Sequence, residues 1–337
     1  MKAYEAWVTK KRHELNSTTS PPSSRDAAML EAINIRVDPL WEDGRGDGSI
    51  MWLGNPETAT KFVLFFHGGG FICPLNLGHV EWCYQTYILP SSSPSATSVK
   101  AAAPDVAVAI LEYSLTPGAT YPTQFSEASR SLELVLTHLR RRGISPSTNL
   151  VVGGDSAGGN LAALLVRHIL TPHPGVEPIT LSAGESIAGV FLVSPFLHNG
   201  ITTSSYKDNE NLDMIHGPWL ENITNLMIRP RKDLPKLSKA DLMKLACPLQ
   251  GDLAAWMPKL DSIVGSLYVT AGGLESFRDH IVQFADEVKK QCPKLKVRFD
   301  LTDREVHDHI LVEAASMHFG DAMRRMEEWT TGTLKLE

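Results

Sequence analysis

Ser156 is the residue of this chain best placed by its sequence neighbours to do chemistry. Leu150 to Val152 is a short apolar run of strand type, Gly154-Asp155-Ser156-Ala157-Gly158 fits G-x-S-x-G, and Leu161, Leu164 and Leu165 recur at helical spacing. A serine at the tip of such a strand-to-helix turn holds strained backbone angles. Its neighbours must be nearly free of side chain so that the helix can pass close to the strand, and Gly154, Gly158 and Gly159 supply that. The first N–H groups of the helix point back at the serine and favour an oxyanion formed there. The pentapeptide alone is also compatible with an ordinary glycine-rich turn. The strand before it and the helix after it make Ser156 the expected nucleophile.

A serine hydroxyl needs a base to take its proton, and the base needs a carboxylate to hold its tautomer. The segment SLYVT, Ser266 to Thr270, is a strand pattern running into Ala271-Gly272-Gly273-Leu274-Glu275. A carboxylate just past a strand end lies beside the ligand crevice of an open α/β sheet, which suits Glu275. Leu295, Val297, Phe299 and Leu301 alternate as a last strand, and His307 and His309 follow it. Upstream, the buried run Phe62 to Phe66 ends in His67-Gly68-Gly69-Gly70-Phe71. Successive glycines after a strand let backbone N–H groups turn towards a ligand, so Gly69 and Gly70, with Ala157, are the expected oxyanion donors. His67 is expected to orient that loop rather than to move protons. The remaining histidines are read as surface residues.

The elements that must position these groups alternate. VAVAIL at 106–111 is another buried strand, and Phe125, Ala128, Leu132, Val135, Leu136 and Leu139 give a helix leading into the Ser156 strand. Strand, helix, strand, turn, helix is an α/β alternation, which implies a mainly parallel sheet with helices on both faces. Residues 33–37 and 49–53 are expected to form a hairpin around EDGRGDG, 78–89 a helix, 90–99 a surface loop, and Phe319 to Trp329 a C-terminal helix. With 337 residues, 43% hydrophobic and 21% charged, the chain has ample material for a core. The net charge of −6 and the lack of a basic block argue against a nucleic-acid partner. Cys73, Cys83, Cys247 and Cys292 are scattered, without spacing for a disulfide framework or a zinc site. No apolar leader and no membrane-span run is present, so a cytoplasmic setting is expected.

HGGGF at 67–71, YSLTPGATYP at 113–122 and GDSAGGNLA at 154–162 together resemble the hormone-sensitive-lipase, or HGGG, family of α/β-hydrolases, fungal members included. The resemblance covers roughly residues 30 to 325. Ser114, Thr116 and Gly118 depart from the family's usual Arg, Ala and Glu, at positions that support a loop. The resemblance implies an α/β-hydrolase fold and a serine carboxylic ester hydrolase working through an acyl-enzyme, with catalytic Ser156, Glu275 and His307 and no metal or organic cofactor. It aligns His307 with the family's histidine, although Asp308-His309 stands where Gly-Phe is usual, which leaves His309 as a rival. The family has two Asp residues four apart at the acid position, and here they are Glu275 and Asp279; Asp279 is the alternative acid.

The resemblance further implies a helical cap built from residues 1–25 and from an insertion at 200–246, roofing a hydrolase core of 26–199 and 247–337. Phe71, Met214 and Trp219 are the expected substrate-binding residues. The expected partner is a small-molecule ester, with no nucleic acid and no membrane span. The oligomeric state is left open, a homodimer included. Two other functions fit the same pattern: acyl transfer or condensation in a natural-product pathway, and a non-catalytic small-molecule receptor resembling the gibberellin receptors, which lose the catalytic histidine.

Overall fold

The computed structural model describes Thr9, Lys10, His13 and residues 36–44, 46–89, 105–229 and 237–336. The expected cap segment 1–25, apart from those first three residues, and the expected loop at 90–99 lie outside the described residues, as does part of the 228–236 stretch.

Strands β1 (Arg36–Pro39) and β2 (Ser49–Leu53) form the expected hairpin, followed by β3 (Lys61–Phe66). Helix α1 (Leu77–Cys83) passes directly into a π-helical turn, Tyr84–Ile88. Then come β4 (Val106–Glu112), α2 (Thr123–Arg141), the single turn α3 (Pro146–Asn149), β5 (Leu150–Asp155), α4 (Ala157–Leu170) and β6 (Gly189–Val193). The expected insertion holds α5 (Ser204–Asp208), α6 (Gly217–Met227) and α7 (Lys239–Ala246), with no strand among its described residues. The chain continues through β7 (Ser266–Gly272), α8 (Arg278–Gln291), β8 (Lys296–Thr302), α9 (His309–Ala315) and α10 (Asp321–Leu334).

The strands make one eight-stranded sheet in the order β1-β2-β4-β3-β5-β6-β7-β8. The pairs β1/β2 and β2/β4 are antiparallel and the others parallel. Helices cover both faces, which explains why the central strands read as continuous apolar runs rather than alternating ones. Along β3, Phe62, Leu64 and Phe66 join a core with Phe125, Leu132 and Leu161 of α2 and α4. Val63 and Phe65 face the opposite core, with Trp82 of α1 and Met323, Met326 and Trp329 of α10. Both faces are thus dry, and every parallel strand ends along one edge. His67, Ser156, Glu275 and His307 all lie just beyond those ends, in the crevice where open α/β sheets collect their ligand-binding loops.

Candidate active site

Ser156 sits between β5 and α4 with φ 50° and ψ −111°, a backbone conformation that L-residues rarely hold. What enforces it is the approach of the turn to β3. A Cβ on Gly158 would lie 1.9 Å from the Phe66 carbonyl oxygen, and one on Gly154 would lie 2.1 Å from the same atom. The turn is then pinned by the Ser156 N–H to Val193 O bond, 2.8 Å, and the Phe196 N–H to Ser156 O bond, 3.0 Å. Asn160, one turn into α4, donates to Phe196 O at 2.8 Å and to Ala246 O at 2.9 Å, tying the insertion's last helix to the turn.

His307 Nε2 lies 2.8 Å from Ser156 Oγ, and His307 Nδ1 lies 3.6 Å from Glu275 Oε2. All three side chains are buried. The loops that carry the acid and the histidine are bonded to each other, Gly273 N–H to Thr302 O at 2.8 Å and Leu274 N–H to Glu305 O at 2.9 Å. Phe277 packs its edge against the imidazole, centroids 4.9 Å apart. Asp279 is engaged elsewhere: it accepts from Ser204 Oγ at 2.8 Å and Ser205 N–H at 2.9 Å, and pairs with Arg278 at 3.0 Å. His309 begins α9, and the imidazole that meets Ser156 Oγ is that of His307.

The glycine loop after β3 turns through positive φ at Gly69 (103°), Gly70 (61°) and Phe71 (62°). It is held from several sides. Cys73 N–H bonds Gly69 O at 2.9 Å, Gly68 N–H bonds Asp155 Oδ1 at 3.0 Å, and Tyr113 OH bonds His67 O at 2.8 Å. Tyr113 also stacks on His67, centroids 4.1 Å apart and planes within 11°. Burial, with His79 nearby, drives the His67 imidazole down to about 3, so it is neutral at working pH, in keeping with a loop-orienting residue.

A family model for the alpha/beta hydrolase fold matches residues 63–311, which span the glycine loop, the serine turn, Glu275 and His307. The chain belongs to the α/β-hydrolase fold family. Among curated relatives it is similar to Lipase 2 of Moraxella sp. (strain TA144), 32% identical over 34% of this chain and 23% of that protein. It is also similar to rat (Rattus norvegicus) arylacetamide deacetylase, 31% identical over 34% of this chain and 26% of that protein. The α/β-hydrolase described here spans 23% of the length of one curated relative and 52% of another. Solved structures of similar fold include carboxyl esterase 2 of the fungus Tuber melanosporum, TM-score 0.65 at 15% identity over 90% of this chain and 86% of that one. An esterase of the bacterial hormone-sensitive lipase family shares the fold with a TM-score of 0.62 at 18% identity over 99% of each chain.

In this α/β-hydrolase a cleft of about 320 Å³, its open mouth included, lies over Ser156. Gly70, Phe71, Ala157, Phe196 and Phe277 line it from the core, and Trp219, Leu220, Ile223, Thr224 and Met227 of α6 close it from the insertion. Phe71 and Trp219, two of the expected substrate-binding residues, line this cleft. Met214, the third, does not line it: it is 58% exposed, because it lies on the turn before α6 whose inward residue is Ile215. Met227, at the far end of α6, is the methionine that reaches the cleft.

The expectation that the remaining histidines lie at the surface is corrected for four of them: His79, His168, His173 and His280 are buried. An imidazole packs as an aromatic ring once its nitrogens find partners, as His168 does with Glu177 O at 2.9 Å and His79 with Asp155 Oδ2 at 3.1 Å.

Two carboxylates that the sequence reading passed over stand close to the histidine. Asp213, from the insertion, accepts His307 N–H at 3.2 Å and Ser276 N–H at 2.7 Å. Asp308 Oδ2 lies 3.2 Å from His307 Nε2. Asp308 was legible only as a departure beside His307; nothing in the sequence around Asp213 marks it. Burial is the largest influence on His307 and opposes its charge, but Asp308, Glu275 and Asp213 outweigh it and push the imidazole up to about 9. Burial raises the Glu275 carboxyl above its ordinary value, and His307 opposes that rise. Among the described residues, no group of His, Cys, Asp and Glu is arranged to hold a metal ion, and no helix is long and apolar enough to cross a membrane.

Proposed function

We propose that the chain is a serine carboxylic ester hydrolase that works through an acyl-enzyme. The 2.8 Å contact of His307 Nε2 with Ser156 Oγ, at a turn strained to present that hydroxyl, is the observation that supports it most. Ser156 attacks the ester carbonyl while His307 takes its proton; Glu275, facing Nδ1, holds the tautomer and offsets the imidazolium charge. The N–H groups of Gly69, Gly70 and Ala157 receive the oxyanion, each such donor contributing roughly 3 kcal/mol to lowering the barrier. Water then releases the acid as His307 reverses its role.

The substrate is a small-molecule ester with a small or medium acyl group. An apolar cleft of modest size, closed by Trp219 and Met227, supports that limit. Residues 200–246 act as a cap over it, and the enzyme works in the cytoplasm. The name of the curated relative Lipase 2 points to the same bond type. The receptor reading is weakened by the histidine that remains beside Ser156.

The test is labelling with a fluorophosphonate probe, located by mass spectrometry, together with hydrolysis of a p-nitrophenyl ester series. Label on Ser156, and loss of both label and hydrolysis in Ser156→Ala with an unchanged circular dichroism spectrum, is the expected result. A fully active Ser156→Ala protein overturns the assignment.

A further inference from the structure

We infer that Asp308 is a further catalytic residue, whose carboxylate lies against His307 Nε2 and stabilises the imidazolium formed when that nitrogen takes the proton of Ser156, while Glu275 acts at Nδ1. The inference rests on the proposed roles of Ser156 and His307. Its own basis is geometric. His307 Nε2 has two oxygen neighbours, Ser156 Oγ at 2.8 Å and Asp308 Oδ2 at 3.2 Å. The Asp308 side chain is 7% exposed, and its other oxygen, Oδ1, has no hydrogen-bond partner. A buried carboxylate with one oxygen unpartnered is costly, and chains rarely keep one without a use for it.

The position is held firmly. Asp308 lies in the left-handed region, φ 54° and ψ 37°, with its N–H on Ser194 Oγ at 3.2 Å. Its carbonyl accepts Leu311 N–H at 2.8 Å and Val312 N–H at 3.1 Å, as the cap of α9. The side chain therefore projects back to the imidazole and not along the helix.

A carboxylate 3.2 Å from Nε2 in a dry site favours the imidazolium over the neutral ring by direct charge attraction. The neutral ring keeps the Nε2 lone pair for the Ser156 proton, and it is the imidazolium that Asp308 stabilises. The groups facing the pair are Glu275 from the loop after β7, Asp213 from the insertion and Asp155 from the end of β5. His79 pairs with Asp155, and His309 on α9 is the base next to His307, with Arg325 of α10 acting on His309. Carboxylates thus predominate around His307, and its rise to about 9 agrees with a carboxylate beside Nε2; burial pushes the Asp308 carboxyl well up in turn, and the charge of His307 opposes that rise, so Asp308 is an anion most readily when His307 is an imidazolium.

During reaction the proton moves from Ser156 Oγ to Nε2 as the Oγ–C bond forms. The imidazolium is then flanked by Glu275 at Nδ1 and Asp308 at Nε2. The proton passes to the leaving oxygen as its bond to carbon breaks, and Asp308 returns unchanged. A second anion makes His307 a stronger base but keeps it protonated to higher pH. The acid limb of kcat/KM, set by the free enzyme's base, should lie well above the ordinary histidine value of about 6.5.

The test compares pH profiles of kcat/KM for p-nitrophenyl acetate in the wild type, Asp308→Asn and Asp308→Gly, with folding checked by circular dichroism and Ser156 by fluorophosphonate labelling. Asn and Gly both take the left-handed conformation readily, so the backbone is preserved. In both variants the acid limb should fall by about one pH unit or more, with kcat on the plateau down roughly ten-fold and KM little changed. A wild-type limb at the ordinary histidine value, or a limb that stays put in both labelled variants, overturns the role of Asp308. Failure of the wild type itself to label overturns the serine-hydrolase reading, and the inference with it, before any substitution is made.

Discussion

Asp155 and Gly68 are bonded side chain to backbone across the mouth of the sheet, Gly68 N–H to Asp155 Oδ1 at 3.0 Å, so the residue before Ser156 also sets the loop that faces it. The contact leaves no room for a side chain: a Cβ on Gly68 would lie 2.2 Å from Asp155 Oδ2. The same carboxylate meets His79 Nε2 at 3.1 Å, with both groups buried.

Gly68→Ala should therefore displace the glycine loop rather than unfold the chain. The expected outcome is a fall in kcat on the order of a hundred-fold, comparable to losing an oxyanion donor, with folding retained. Asp155→Ala leaves two buried partners unsatisfied and should in addition cost about 2–5 kcal/mol of stability, read by urea denaturation. Unchanged kcat in Gly68→Ala would show that this loop does not face the reacting carbonyl.

The acid is tested by Glu275→Gln against Asp279→Asn. An amide beside Nδ1 can trap the wrong tautomer, so Glu275→Gln should lower kcat by orders of magnitude. Asp279→Asn should leave kcat largely intact and lower thermal stability, since Asp279 secures Ser204 and Ser205 at the start of α5. Burial pushes the Asp279 carboxyl up, but the bonds from Ser205, Ser204 and Arg278 outweigh it, and the net shift is downward. A depressed folded value means that its contribution is present above the unfolded value of about 3.9 and is lost as pH falls through the folded one. The gap in Tm between wild type and Asp279→Asn should thus be open at pH 6 and close in strong acid.

Asp213 joins the insertion to the loops that carry Glu275 and His307 through two carboxylate oxygens, accepting from the backbone N–H groups of His307 and Ser276. Asp213→Ala should reduce kcat by about ten-fold with a smaller change in KM, because the loss falls on the spacing of Glu275 and His307 rather than on the cleft lining. The acid limb should also move to lower pH, since an anion that favours the imidazolium is gone. An unmoved limb with unchanged kcat would assign Asp213 to packing alone.

Trp219 closes the cleft directly above the glycine loop, its ring 2.9 Å from where a Gly70 Cβ would stand. Trp219→Ala should shift preference towards longer acyl chains, raising the ratio of kcat/KM for the octanoate over the acetate p-nitrophenyl ester by roughly five-fold. A uniform loss on all chain lengths would place Trp219 in a structural role.

The sequence by itself determined the fold and the strained turn at Ser156, because both are written in local pattern. Apolar runs of strand length alternating with helical spacing specify a doubly covered parallel sheet, and Gly154 and Gly158 around Ser156 specify a turn that only near-absent side chains permit. The glycine loop at 67–70 was legible for the same reason. The tertiary structure decided what surrounds the histidine. Glu275 and Asp279 are near in sequence and equal in charge, but β7 ends so that Glu275 faces His307 while Asp279 starts α8 and turns to Ser204 and Ser205. Met214 and Met227 look alike in sequence, and only the orientation of α6 puts one in solvent and the other in the cleft. Asp213, distant in the chain, reaches the loops of both Glu275 and His307, and Asp308, itself left-handed, turns back to Nε2. Contacts between segments far apart in sequence leave no periodicity to read; they arise when the sheet brings the ends of β5, β7 and β8 to one edge.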